Sequence, residues 1–179
     1  MLRISKLTDY GLVLLAHFAE AAQAAEAARE NAEAVQAAEA ARGNAGAAGL
    51  ETATRNAREM SEATLLPYPA VSKILKNLAQ EELLVSQRGA KGGYALSRPP
   101  REIRVHDIIE ALEGPIALMA CSAGPGHCDQ ESTCRIRDPW LRINEAVRKA
   151  LAEITLADLV APGAPPLAAL HLVSEPAAN

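Results

Sequence analysis

The sequence predicts a mainly α-helical fold with one small β-hairpin, on the strength of three observations. Two short amphipathic segments flank the tight turn "LLPYP" at 65–69. The glycine-studded stretch "LLVSQRGAKGGYALSRP" then reads as strand, turn, strand. A last apolar stripe runs at helical spacing along "RDPWLRINEAVRKALAEITLADLV". In that order the elements describe a winged helix-turn-helix followed by a long C-terminal dimerisation helix. At 179 residues, 49% hydrophobic and 22% charged, the chain suffices for one compact domain with an appendage rather than two full cores.

The first helix of this domain is expected over residues 1–20. Its run "MLRISKLTDYGLVLLAHF" contains Asp9 and His17 and lacks a small-residue cleavage site, so it reads poorly as a signal peptide. Nothing else is apolar for long enough to span a bilayer, and the expected setting is the reducing cytoplasm, away from membranes. Residues 21–53 form an Ala-rich insert. It should extend the first helix, since alanine is the strongest helix former, until "RGNAGAAG" supplies the Gly and Asn that end helices. Charges such as Glu39 and Arg42 sit at solvated helix-face spacing and no large-apolar seam develops, so the insert reads as a spacer or solvated arm.

Residues 54–114 are expected to hold the helix-turn-helix and the wing. "NAREMSEAT" is a short helix, and "AVSKILKNLAQEELL" is a second one with Val71, Ile74, Leu75 and Leu78 on one face. The other face shows Ser72, Lys73, Lys76, Asn77 and Gln80. These groups suit phosphates or base edges in a major groove, although a solvated amphipathic face has the same composition. The hairpin carries Arg88 and Lys91 beside Gly89, Gly92 and Gly93, an arrangement that lets cations approach a phosphate backbone closely. "REIRVHDIIEALEG" follows as a short helix closed by Gly114, with His106 a surface or helix-start residue rather than a ligand.

The net charge of −4 taken globally argues against a nucleic-acid partner, but its distribution argues the other way. Residues 68–104 carry seven Lys or Arg against three Glu, whereas residues 20–62 carry eight Glu against four Arg. An acidic segment therefore masks a basic one.

All three cysteines lie in "CSAGPGHCDQESTC" at 121–134, within a loop expected over residues 115–137. Thiolates of Cys121, Cys128 and Cys134 are soft anionic ligands, and three of them leave one coordination position open. The Cys-x6-Cys-x5-Cys spacing has no close-set pair and so resembles neither a ferredoxin nor a zinc ribbon. On the residues alone an iron–sulfur cluster, zinc and a thiol redox switch all stand.

The dimerisation helix is expected over residues 138–160, with Asp138 as N-cap and Pro139 at the first helical position. Trp140, Ile143, Val147, Ala150 or Leu151, and Ile154 make a nearly heptad stripe, which in one monomer would serve as core but on a long terminal helix suits a two-fold seam. Residues 161–179 form a Pro-rich tail, expected to be loosely ordered, in which His171 is inert. No nucleophile–base signature or phosphate loop is present, so the chain is not expected to be an enzyme.

The segments "SKLTDYGL", "VSKILKNL", "RGAKGGYALS" and "IIEALEG", with three spaced cysteines ahead of an amphipathic helix, resemble the Rrf2 family of iron–sulfur transcriptional regulators. The likeness covers about residues 1–20 and 54–160. It implies a homodimeric winged-helix protein whose cluster state controls binding to double-stranded promoter DNA, with SUF-type iron–sulfur assembly genes as expected targets. The alternative within the same fold is a nitric oxide or redox-sensing repressor.

The resemblance also assigns a recognition helix at 70–80 and a wing tip at 89–93. DNA contacts fall to Tyr68, Ser72, Lys73, Lys76, Arg88 and Lys91. The cluster, [2Fe–2S] favoured with [4Fe–4S] as the alternative, falls to Cys121, Cys128 and Cys134. Two features depart from the family pattern. The first cysteine spacing is one residue longer than common, and Arg137 stands where IscR-type members have a histidine three residues past the last cysteine. The candidates for a fourth ligand are His127, Asp129, Glu131 and Asp9. NsrR-type members use an aspartate of the partner subunit at the position of "TDY", which makes Asp9 the expected one.

Overall fold

Alanine-rich sequence carries the first helix further than any other: α1 spans Lys6–Ala40 without a break. The computed structural model describes residues 5–40, 54–89 and 92–161, and the side chains of all these except residues 32–40. The remainder of the insert, the wing-tip Lys91 and the tail from residue 162 lie outside the described residues. The insert thus continues α1 as its composition predicts, and the boundary placed after residue 20 falls inside one helix.

The helix-turn-helix forms from α2 (Ala57–Thr64) and α3 (Tyr68–Gln80). Asn56 starts α2 through a capping box: its side chain accepts from the Arg58 and Glu59 amides, and the Glu59 carboxylate accepts from the Asn56 amide at 3.0 Å. The helix stops at Leu65, held in the left-handed region at φ 58°. Ser61 braces the turn by donating to the Leu66 carbonyl at 2.6 Å. α3 starts two residues earlier than the expected recognition helix, with Pro69 in its first turn, where a missing amide costs nothing. Its end is a Schellman closure, with Leu83 N donating to Leu78 O at 2.9 Å and Glu82 in the left-handed conformation at φ 57°.

The hairpin pairs β1 (Leu84–Gln87) with β2 (Gly93–Leu96), in a register that sets Leu84 opposite Leu96 and Gln87 opposite Gly93. A contact not foreseen from sequence adds Arg55 to the outer side of β2. Its amide donates to Tyr94 O at 3.0 Å and its carbonyl accepts from Tyr94 N at 2.9 Å. Gly93 permits this approach, because a Cβ there would sit 2.7 Å from the Arg55 carbonyl.

α4 (Val105–Glu113) ends at Gly114 with φ 85°. Its last residue is tied back to the start of α1, since Glu113 accepts from Ser5 N at 2.8 Å and from the Thr8 hydroxyl. One core joins these elements: Leu14, Leu15 and Phe18 of α1, Met60 of α2, Val71, Ile74, Leu75 and Leu78 of α3, Leu83 and Leu84 at the wing, and Ile108 of α4. Each large side chain fully buried there contributes about 1.5–3 kcal/mol.

The C-terminal region corrects the sequence expectation. One helix was expected over 138–160; there are two, α5 (Arg137–Glu153) and α6 (Leu156–Val160). The helix begins one residue early, with Ile136 in place of Asp138 as N-cap, so Asp138 and Pro139 both lie in its first turn. At the far end Ile154 leaves the helix in extended conformation and so does not continue the stripe of Trp140, Ile143 and Val147.

Two local devices break the helix there. Thr155 opens α6 with a capping box to Asp158, and Leu156, fully buried in the core, draws the chain back. Backbone bonds from Val105 N to Ile154 O at 2.9 Å and from Leu156 N to Ile103 O at 2.7 Å close the contact. Among the described residues no helix is long and apolar enough to cross a membrane.

Candidate functional site

Two sites are built on this frame, and the first is a basic surface. Burying Val71, Ile74, Leu75 and Leu78 obliges the opposite face of α3 to point outward. Lys73 and Lys76 are exposed there, Ser72 is half-buried beside them, and Tyr68 is 53% exposed at the helix N-terminus. Leu65, in the turn just before, is 90% exposed. Arg88 is exposed where β1 runs into the wing turn, which Gly92 N closes onto Gly89 O at 2.9 Å. Neither lysine of α3 nor Arg88 forms an ion pair with a described residue, so their charges are available to a ligand.

The second site is the cysteine loop. Cys121, Cys128 and Cys134 are free, half-buried thiols facing one cavity of about 420 Å³. Its walls also include His127, Asp129, Arg137 and Trp140. The loop has little regular structure to hold it beyond a single 3-10 turn at Ala120–Ser122, so side chains do that work.

On one side Asn144 of α5, only 6% exposed, accepts from Leu118 N at 2.9 Å and donates to Ile116 O at 3.1 Å. On the other, Glu131 accepts from Gly126 N at 2.7 Å and from Arg137 at 3.0 Å. The Gly126 amide, with help from the Arg137 guanidinium, holds the Glu131 carboxyl below the usual carboxylate range. Glu131 is thereby a structural brace, already engaged. Among the described residues no three His, Cys, Asp or Glu side chains converge on a ready-made metal site; the thiols share a cavity instead.

Asp9 stands apart: it is exposed in the first turn of α1 and is not among the residues lining the cysteine cavity of its own chain. Trp140, expected in a dimer seam, lines that cavity. Ile143 remains 46% exposed on the outside of α5, Ile136 before it is 57% exposed, and Val147 is half-buried.

Sequence reasoning missed Asn144 and Arg55 and took Arg137 only as a missing ligand. Asn144 had a detectable signal, since it lies four residues after Trp140 and three before Val147, a polar group on the apolar face. Arg55 had none, because its role is a backbone pairing.

A helix-turn-helix with an adjacent hairpin wing and a cysteine pocket on a following helix defines a winged-helix regulator, and the fold and relatives are those of transcriptional regulators, not enzymes. Residues 47–162 match the Rrf2 family, described as an iron-dependent transcriptional regulator, and the chain belongs to that family.

Among curated relatives, a putative HTH-type transcriptional regulator of Mycobacterium tuberculosis is 36% identical over 60% of this chain and 66% of its own length, just under two thirds. The HTH-type transcriptional regulator NsrR of Oceanobacillus iheyensis is 31% identical over 59% of this chain and 72% of its own. Among solved structures, CymR, the global cysteine regulator of B. subtilis, superposes with a TM-score of 0.60 at 26% identity, covering 89% of this chain and 97% of that one.

Proposed function

We propose that this chain acts as a homodimeric, DNA-binding transcriptional regulator whose promoter binding is controlled by an iron–sulfur cluster held by Cys121, Cys128 and Cys134, with SUF-type assembly genes among its targets. The observation that carries the reading is the meeting of three free thiols around one cavity in a protein of this family. The donor set fits, since thiolates are the usual ligands of such clusters and all three line one cavity, with Asp129 the one carboxylate among its lining residues. When bound, the cluster supplies one-electron chemistry and lability toward oxidants. The fourth position would fall to the partner subunit's Asp9, a hard oxygen ligand more labile on iron than a thiolate.

The chain's own residues supply a route from pocket to wing. Glu131 and Asn144 hold the loop to α5. α5 is tied to α4 and its approach by Arg148 with Glu110 at 3.7 Å and by Arg104 donating to Ala152 O at 2.8 Å. α4 is tied to the foot of the wing by Arg98 with Asp107 at 3.2 Å. A shift of the loop would reach the basic surface through these contacts. That surface would bind phosphates, with Tyr68, Ser72 and Lys73 nearest the groove floor and Lys76, Arg88 and Lys91 along the backbone.

The test is anaerobic reconstitution with iron and sulfide, followed by metal and acid-labile sulfide analysis and operator titration. Wild type should hold a cluster that any one of Cys121→Ala, Cys128→Ala or Cys134→Ala destroys, and operator affinity should change with it. Lys76→Ala should flatten the salt dependence of binding by about one unit of slope. Zinc without labile sulfide, or operator binding indifferent to the cluster, would overturn the reading.

A further inference from the structure

We infer that Arg137 acts on the bound cluster without ligating it: its Nε–H donates a hydrogen bond to a sulfur of the cluster, and its charge favours the reduced, more negative form. This rests on the cluster reading above. A guanidinium keeps its proton and has no lone pair to offer iron, so Arg137 cannot take over a ligand's bond. Its placement is nonetheless that of a group addressed to the pocket, for it lines the cavity with all three cysteines.

The orientation of the guanidinium is set from outside. Nη2 is held by Glu131 at 3.0 Å and Nη1 faces Asp138 at 3.8 Å. Glu131 is in turn fixed by the Gly126 amide at 2.7 Å. With Nη2 bonded to Glu131, Nε is buried and has no acceptor among the described residues. The Ser122 hydroxyl, next to Cys121 in the chain, and Arg98 Nε at the foot of the wing are also buried without a partner, but neither residue lines this cavity. Buried polar groups of folded proteins are nearly always paired, so an unpaired donor on a residue that lines a thiol-walled cavity marks where an acceptor belongs. Sulfide and thiolate sulfurs are acceptors, and hydrogen bonds to them, like nearby positive charge, raise a cluster's reduction potential.

The electron balance is simple. One electron from dithionite enters the cluster, no bond forms or breaks, and the cluster gains one negative charge. That added charge is what Arg137 stabilises.

The experiment is a dithionite redox titration of the reconstituted full chain, followed by visible and electron paramagnetic resonance spectra. Arg137→Leu should keep the wild-type iron and sulfide content yet show about a tenfold lower ratio of reduced to oxidised cluster at a fixed potential, equivalent to 59 mV for one electron. Glu131→Gln, which removes the brace but keeps the cation, should shift the ratio much less. A fully loaded Arg137→Leu with the wild-type ratio overturns the inference.

Should that variant fail to hold a cluster, wild type grown with 15N-arginine decides. The reduced cluster should show an arginine 15N hyperfine coupling that Arg137→Lys abolishes. No coupling in wild type, or one that survives Arg137→Lys, overturns the inference. A wild-type chain that takes up no iron and sulfide overturns the function reading, and the inference with it.

Discussion

Replacing Asn144 by leucine, which has the same number of side-chain heavy atoms but cannot hydrogen-bond, should destabilise the protein and loosen the cysteine loop together. The side chain is 6% exposed and makes two bonds to the irregular segment that leads into the loop, one to Leu118 N and one to Ile116 O. Leucine leaves both backbone groups without a partner. A buried polar group so abandoned costs about 1–3 kcal/mol. Leu118 is half-buried and its amide can recover some hydration, whereas Ile116 is only 5% exposed, so the loss should be about 2–4 kcal/mol. Native domains have about 5–15 kcal/mol in all.

The assay is urea unfolding followed by far-ultraviolet circular dichroism, for which the midpoint should fall with an unchanged slope. For a chain of this length the melting temperature should drop by roughly 5–15 °C. In parallel, the reconstituted variant should lose iron faster to a chelator. A stability within about 0.5 kcal/mol of wild type would show that water or a local shift replaces both bonds, and would refute the role given to Asn144.

Three further outcomes are expected. Val147→Glu, a charge on the outer stripe of α5 beside the exposed Ile143, should convert the proposed dimer to monomer in sedimentation and weaken operator binding; an unchanged dimer places the seam elsewhere. Glu113 has its pKa lowered by hydrogen bonds from Ser5 first and Thr8 second, so its contribution to stability is full above its unfolded value of about 4.3 and lost as pH falls through the depressed folded value. Glu113→Gln should therefore flatten the acid limb of the stability–pH profile, and an identical limb would contradict the link between α1 and α4. Glu82→Gly should raise stability by up to about 1 kcal/mol, because relief of the left-handed strain at φ 57° outweighs the added freedom of the unfolded chain; a fall in the unfolding midpoint would refute that balance.

The elements most legible from sequence were those whose signal is local. The apolar period of Val71, Ile74, Leu75 and Leu78, the short helix of "NAREMSEAT" and the Gly114 stop are all properties of a few neighbouring residues. The wing was readable for the same reason, from two short runs around glycines. The C-terminal helix was misread because the period of its stripe continues smoothly through Ile154. The Thr155–Asp158 cap and the burial of Leu156 compete with that period, and a pattern of hydrophobic residues cannot tell which partner each one will meet.

Residue chemistry alone limited this protein to a helix-turn-helix with a wing, a hidden basic stretch and a thiolate-rich loop, because charge, turn propensity and helical period belong to the chain before it folds. Folding decided which of those groups act together. Asn144 holds the cysteine loop only because Ile116 and Leu118 are brought beside it from 28 and 26 residues away. Arg137 lines the thiol cavity with its Nη2 bonded to Glu131, six residues before it in the chain. Such contacts depend on distance in space, to which separation along a chain is no guide, and so the pocket's braces and its unpaired Arg137 donor came into view only with the tertiary structure.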